Sequence, residues 1–429
     1  MKNSLLAAGF LAAFAGGSNP SFAAGTVDAL TTAPIPAGEA KLTVWSFLPG
    51  NYDAGADAYA KVIAGFEAAH PGVKVEIVDM PYGTYFDQVR NATVAQTGPD
   101  IVTMYGAAQA YSYKNGLFPL QDVIAPDLRD TLKFVPENHS PDGNLYILPT
   151  GTYGYVLLAN RDLFAKAGVD PVAGLATWPA LLETCKTLSA AGIQPISAGW
   201  KDGYYLETYL YMISSQLMDA ATLDKWVLRQ IDMTDPIFLT ATNRILEMNA
   251  AGCFGDDAAL GRNMYDDTVN QYKSGQSAMM VSGGIGTANG AAAEQPGTAV
   301  FPLPMVPDAP NPQMVDAGAE AGWAITRWTQ HPEAAVAFVN YLAGPEAQSI
   351  LAEMISVPAN LKGATPHAKS PLEQSYIDLL AIPENHTGFA AFSLPVLSVI
   401  EQNAVPLMGG TMTAEDFIAA AQGAYLRSR

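Results

Sequence analysis

The sequence predicts an α/β protein of two lobes, each assembled from more than one stretch of chain. Three observations carry this expectation. Strand-period and helix-period apolar patterns alternate from Lys41 onward. Three glycine-bearing passages interrupt apolar strands, as a chain moving between two cores would require. The 429 residues are 49% hydrophobic and only 15% charged, enough for two or three buried cores and too apolar for a disordered chain.

The first elements follow from periodicity. KLTVWSF alternates as a strand, and Tyr59, Val62, Ile63 and Phe66 then fall on one helical face until Pro71 and Gly72 stop it. VKVEIVDM places Val73, Val75 and Ile77 on one side of a second strand. A helix carrying Phe86 and Val89 leads to a third strand in GPDIVTMYG. Strand, helix, strand, helix, strand at this spacing implies parallel βαβ units, which leave ligand crevices at the carboxyl ends of their strands.

The stretch GNLYILPTGTYGYVLLANRDLF supplies the first passage between lobes, with Gly151 and Gly154 as residues able to absorb φ/ψ change. A second is read at YKSGQSAMMVSGGIGTANG, where the strand Ala278 to Val281 runs into Ser282, Gly283 and Gly284. VDAGAEAGWAIT gives the third and leads into a helix with Pro332 at its first position and Ala335, Phe338 and Leu342 as its apolar stripe. These crossings divide the chain into a first lobe of 41–152 plus 284–318 and a second of 153–283 plus 319–429.

The first residues address the compartment. Lys2, the apolar run LLAAGFLAAFAGG and the small residues ending at Ala23 read as a cleaved secretory signal peptide, 1–23, followed by a loose arm, 24–40. No cysteine stands near the cleavage site and no later run is long enough for a membrane span, so neither a lipid anchor nor a transmembrane helix is expected. The formal net charge of −19 opposes nucleic acid or an anionic membrane as partner. Cys185 and Cys253 are read as two separate buried thiols, with one disulfide as the alternative.

The ordered fragments LTVWSF, GPDIVTMYG, GNLYILPTGTYGYVLLANRDLFAKAGVDP, YKSGQSAMMVSGG and AITRWTQHPEAAVAFVNYLAGPEAQ together resemble the extracellular solute-binding proteins of ATP-driven (ABC) importers. They are most similar to the sugar-binding group that includes maltose-binding protein. The resemblance covers nearly the whole chain after the leader. It implies the two-lobed periplasmic-binding-protein fold with discontinuous domains and three hinges, a monomer in the periplasm, and delivery of a small solute to membrane permease subunits. The family often places a contact in the first hinge, where this chain has Tyr153.

A sugar needs aromatic planes for its C–H face and neutral or acidic groups for its hydroxyl rim. Asn51 and Tyr52 follow the first strand, Tyr105 follows the third, and Tyr153 lies in the first crossing. Trp200, Asp202 and Tyr204 follow another strand end, Ser282 is at the second crossing, and Glu320 and Trp323 are at the third. These ten are the candidate ligand-binding residues, with Trp45, Trp178, Trp226 and Trp328 assigned to cores.

Other classes fit less well. GGIGTANG departs from the dinucleotide fingerprint by one residue between its last two glycines, though such a helix entry could hold a phosphate ester. A polyamine would favour the acids and rings. A secreted carbohydrate-active enzyme would need paired carboxylates, for which Asp202 and Glu320 are the candidates. PISAG around Ser197 lacks the first glycine of an esterase elbow, and the five scattered histidines show no metal-binding spacing. The expectation is therefore binding without catalysis, cofactor or metal.

Overall fold

Among the described residues, ten strands segregate into two five-stranded sheets, because the apolar strands of each half bury against their own helices. The computed structural model describes residues 29–133, 138–307, 309–311, 313–365 and 367–428. The signal-peptide assignment, 1–23, lies outside the described residues, as does the arm up to residue 28. From residue 29 the arm is mostly exposed, but Leu30 and Ile35 pack against the first core, so it is anchored at two points.

The first sheet contains β1 (Ala40–Ser46), β2 (Val73–Asp79), β3 (Ile101–Met104), β4 (Leu148–Pro149) and, from much later in the chain, β10 (Gly322–Ile325). Its order is β2-β1-β3-β10-β4. β1 pairs parallel with both β2 and β3, as the βαβ pattern requires, and β10 inserts antiparallel between β3 and β4. The helices Gly55–Ala69 and Pro332–Ala343 contribute Val62, Phe66, Ala335, Phe338 and Leu342 to its core.

The second sheet is built on β5 (Thr152–Asn160), with β6 (Gln194–Ile196), β7 (Ser277–Gly283), β8 (Thr298–Phe301) and β9 (Asp316–Ala319). It runs β6-β7-β5-β8, with β9 paired to the start of β5. Both faces are covered. Tyr155, Leu157 and Ala159 enter the larger core, while Val156 and Leu158 pack on the other side with Met280, Ile285 and Tyr376.

This pairing corrects the expected lobe boundaries. The segment 284–318, assigned above to the first lobe, carries β8 and β9, which pair with β5 in the second sheet. The segment from residue 319, assigned to the second lobe, begins with β10 of the first sheet and its helices Pro332–Ala343 and Pro345–Ile355. The Ser282–Gly284 passage is no crossing, since β7 continues into the helix Ile285–Glu294 packed on the same sheet. Composition marked it because Gly284 adopts φ +83 at the start of that helix, a conformation open to glycine at little cost.

The chain instead passes between sheets at 150–151, at 320–321 and again after the helix ending at Ile355, on its way to the helix Pro371–Leu380 of the second half. The three passages lie side by side. Glu320 N donates to Gly151 O at 2.9 Å, and Thr152 N donates to Pro358 O at 2.8 Å.

Neither Gly151 nor Gly154 has positive φ. A Cβ on Gly151 would stand 2.5 Å from Val357 Cγ1 and 2.7 Å from Glu320 Oε2, and one on Gly154 would stand 2.5 Å from Leu380 Cδ2. These glycines are required by close packing of neighbouring segments, not by turning.

Cys185 and Cys253 form a disulfide with Cα atoms 4.8 Å apart, correcting the expectation of separate thiols. The helix Trp178–Ala190 and the end of the helix Pro236–Ala250 bring the two cysteines together across 68 residues, a proximity set by tertiary packing.

Candidate functional site

The strand ends of the two sheets face a cavity of about 410 Å³. From the first half come Phe47, Leu48, Asn51 and Tyr52 after β1, Tyr82 after β2 and Tyr105 after β3. These are carboxyl ends of parallel strands, the position expected for a ligand crevice. Local packing fixes the turns. A Cβ on Gly55 would stand 2.1 Å from Pro49 O, and one on Gly106 would stand 2.1 Å from Asn138 Oδ1. Only glycine lets the chain fold back so tightly behind Tyr52 and Tyr105.

From the second half come Tyr153 and Tyr155 on β5, Tyr204, Met264 and Phe389, together with Gly283, Gly284, Gly286 and Thr287 at the entry of the helix Ile285–Glu294. Gly283 leaves room for the Tyr155 ring, since a Cβ there would stand 2.6 Å from Tyr155 Cε1. Glu320 and Ala321, at a passage between sheets, complete the lining. Eight of the lining residues are Phe or Tyr, and none is Lys or Arg.

The rings form a connected wall. Tyr105 lies 5.9 Å from Phe47 and 6.0 Å from Phe86, stacked on the latter, and meets Phe389 edge-on at 5.1 Å across the two halves. Tyr153 stands edge-on to Tyr155 at 5.6 Å, and the Tyr155 and Tyr204 hydroxyls are 3.0 Å apart. Outside the cavity lining, the halves also meet where the Arg229 guanidinium sits 5.7 Å from the centre of the Tyr111 ring.

Two polar groups stand out. Tyr52 Oη donates to Glu320 Oε1 at 2.5 Å, and burial pushes the Glu320 carboxyl up to about 7 despite that bond. The Tyr153 hydroxyl oxygen is buried with no hydrogen-bond partner among the described residues.

Of the ten candidates, Asn51, Tyr52, Tyr105, Tyr153, Tyr204 and Glu320 are brought to this cavity. The other four are not, which corrects their assignment. Trp200 is buried against Tyr205, Tyr209 and Phe254 in the second core, and its position between a glycine and polar residues gave no sign of that depth. Trp323 lies on the inward face of β10 against Tyr59, with Nε1 donating to Thr150 Oγ1 at 3.3 Å. Ser282 is fully buried in β7, its hydroxyl turned to Gly284 O at 3.4 Å. Asp202 is exposed and accepts from Met264 N at 2.9 Å, so it steadies the loop that carries a lining residue. Asp202 and Glu320 therefore do not form a carboxylate pair in the cleft.

Sequence reasoning missed Phe47, Tyr82, Tyr155 and Phe389. The first two stand at strand ends and were accessible to the rule that selected Tyr105. Tyr155 reads as one more apolar strand position, and Phe389 comes from a loop far along the chain with no periodic signal.

Asp316 on β9 is another buried acid, accepting from Ser215 Oγ at 2.9 Å, and burial raises its carboxyl to about 7. A carboxyl raised above its unfolded value near 4 adds stability that is full below about pH 4 and lost as pH rises through 7. Asp316→Asn is expected to flatten the fall in stability between pH 5 and 8 by roughly 1–3 kcal/mol. Urea melts of both proteins across that range check the slope, and parallel curves would contradict it.

Among the described residues, no group of three or more His, Cys, Asp or Glu side chains is placed to hold a metal ion, and no helix is long and apolar enough to cross a membrane.

Several known proteins are similar to this chain. The arabinooligosaccharide-binding protein of Bacillus subtilis is 29% identical over 185 residues, 42% of this chain and 41% of that protein. The sn-glycerol-3-phosphate-binding periplasmic protein UgpB of Shigella flexneri is 27% identical over 338 residues, 75% of this chain and 72% of that protein. Among solved structures, a chitin oligosaccharide binding protein superposes with a TM-score of 0.76 at 22% identity, covering 91% of this chain and 99% of its own. The GacH receptor of Streptomyces glaucescens, solved unliganded and with acarbose, superposes with a TM-score of 0.70 at 19% identity, covering 91% and 98%. These two share the two-lobed α/β architecture. With residues 50–349 matching the profile of the bacterial extracellular solute-binding proteins, the chain belongs to that family.

Proposed function

We propose that this protein captures a carbohydrate, from a monosaccharide or sugar alcohol to a short oligosaccharide, between its two halves and delivers it to the permease subunits of an ABC importer. The observation that carries the reading is the lining of the cleft: eight aromatic rings, Asn51 and Glu320, with no lysine or arginine among the described lining residues. Rings, Tyr153 among them, cover the apolar face of a sugar, while Glu320 and Asn51 meet its hydroxyl rim. A volume of about 410 Å³ suits a small solute.

The same lining disfavours a phosphate ester. UgpB-type relatives are named for sn-glycerol-3-phosphate, but a phosphate buried here would face the Glu320 carboxyl and find no cationic side chain. The entry of the helix Ile285–Glu294 offers only backbone N–H groups. The arabinooligosaccharide- and chitin-oligosaccharide-binding relatives agree with the sugar reading.

Binding is coupled to closure because the cleft is divided. Asn51, Tyr52 and Tyr105 belong to one half and Tyr153, Tyr155 and Tyr204 to the other, so a solute touching both favours the closed arrangement by its extra contacts. Closure presents a joint surface to the permease, and no bond in the solute is broken. A leader at 1–23, cleaved on export, would place the mature monomer in the periplasm.

Titration of intrinsic fluorescence with a panel of mono- and oligosaccharides, alongside sn-glycerol-3-phosphate, tests the assignment. A saturable response to a sugar and none to the phosphate ester is expected; the reverse pattern would reject the carbohydrate reading. Tyr105→Ala should weaken the bound sugar by about tenfold, the scale of one lost stacking contact. Calorimetry against wild type measures it, and equal affinities would remove Tyr105 from the site.

A further inference from the structure

Away from the cleft, two adjoining cavities open beside the third passage between the halves. The larger measures about 390 Å³ and the smaller about 50 Å³, and they share Ala352, Ala359, Ala364, Thr365 and His367. Ile377 of the second half closes the smaller one, whose other walls are Ser356 to Ala359 and Lys133.

Unlike the sugar cleft, these cavities carry lysines, with Asp127 as the one carboxylate among their described lining residues. Lys362 lines the larger cavity with the hydroxyl-bearing Thr131, Ser349 and Thr365, and Lys133 lines the smaller. This is unusual in a chain with 22 Lys and Arg against 41 Asp and Glu.

Lys133 is half-buried, and its ammonium makes no hydrogen bond or ion pair with any described residue. Burial pulls its pKa below the usual lysine value, because the charged form has lost water. Lys362 Nζ donates to Asp130 O at 3.0 Å, which leaves two of its three donors.

The nearby acids do not fill this role. Glu373 already accepts from Asn289, Ser356 and Lys369 N. Asp127 lines only the larger cavity.

We propose that the joined cavities are a second binding site, separate from the cleft, for a small anion bearing a phosphoryl or carboxylate group held by Lys133, Lys362 and His367. Such an oxyanion supplies a counter-charge that Lys133 lacks among the described residues and fits among the hydroxyls of Thr131, Ser349 and Thr365.

Calorimetric titration of the full chain with inorganic phosphate and, separately, with succinate tests the proposal and distinguishes the two anionic groups. One-to-one saturable binding of at least one probe is expected, weakened tenfold or more in Lys133→Met and in Lys362→Met and retained in Tyr105→Ala. Lys362 is exposed, so its variant folds even if Lys133→Met does not. No saturable binding of either probe, wild-type affinity in Lys362→Met, or loss of binding in Tyr105→Ala would overturn it, the last by placing the anion in the cleft. Sugar affinity is read in a separate titration, so the carbohydrate assignment stands or falls independently.

Discussion

Glu320→Ala is expected to lower sugar affinity by about 100-fold, because truncating one partner in a buried charged hydrogen-bond network costs roughly 2–5 kcal/mol. Glu320 sits where one half passes into the other, fixed by its own N–H on Gly151 O and by Tyr52 Oη on its carboxylate. Removing the carboxylate deprives the sugar of an acceptor and leaves the Tyr52 hydroxyl unpaired. Glu320→Gln keeps the shape and an acceptor oxygen, so its loss should be smaller. Equilibrium titration of both variants with the best sugar of the panel checks the order. If Glu320→Ala binds as tightly as wild type, the acid does not face the ligand.

Trp200→Ala and Trp323→Ala are expected to lower folding stability by about 3–5 kcal/mol each, the cost of emptying a large buried aromatic site. Both indoles are almost wholly buried, one in each main core. The sequence suggested them as stacking platforms; the structure makes them packing elements instead. Urea unfolding measures the loss, and sugar titration at low temperature, where the variants remain folded, should show an unchanged dissociation constant. A variant of wild-type stability but weakened affinity would return that indole to the ligand site.

The contrast between these two predictions traces what periodicity can carry. The parallel β1, β2 and β3 with their helices were legible, because alternation and helical stripes are local and their carboxyl ends mark a crevice. That reasoning placed Asn51, Tyr52 and Tyr105 at the cavity. It failed for Trp200 and Trp323 because a strand end and a strand interior differ in depth, and depth depends on what packs above them.

Chain length, composition and local pattern by themselves determined an α/β protein with two kinds of apolar period, glycine-bearing passages and aromatic residues at strand ends. Only the tertiary structure decided which strands share a sheet. β10 joins β3 and β4, whereas β8 and β9 join β5, by strand pairing that sets residues as far apart in sequence as Thr103 and Trp323 opposite each other. It also paired Cys185 with Cys253 and brought Phe389 to the cleft. The physical reason is that sequence pattern encodes which face of an element is apolar, while its partner is chosen by non-local packing that no short window contains.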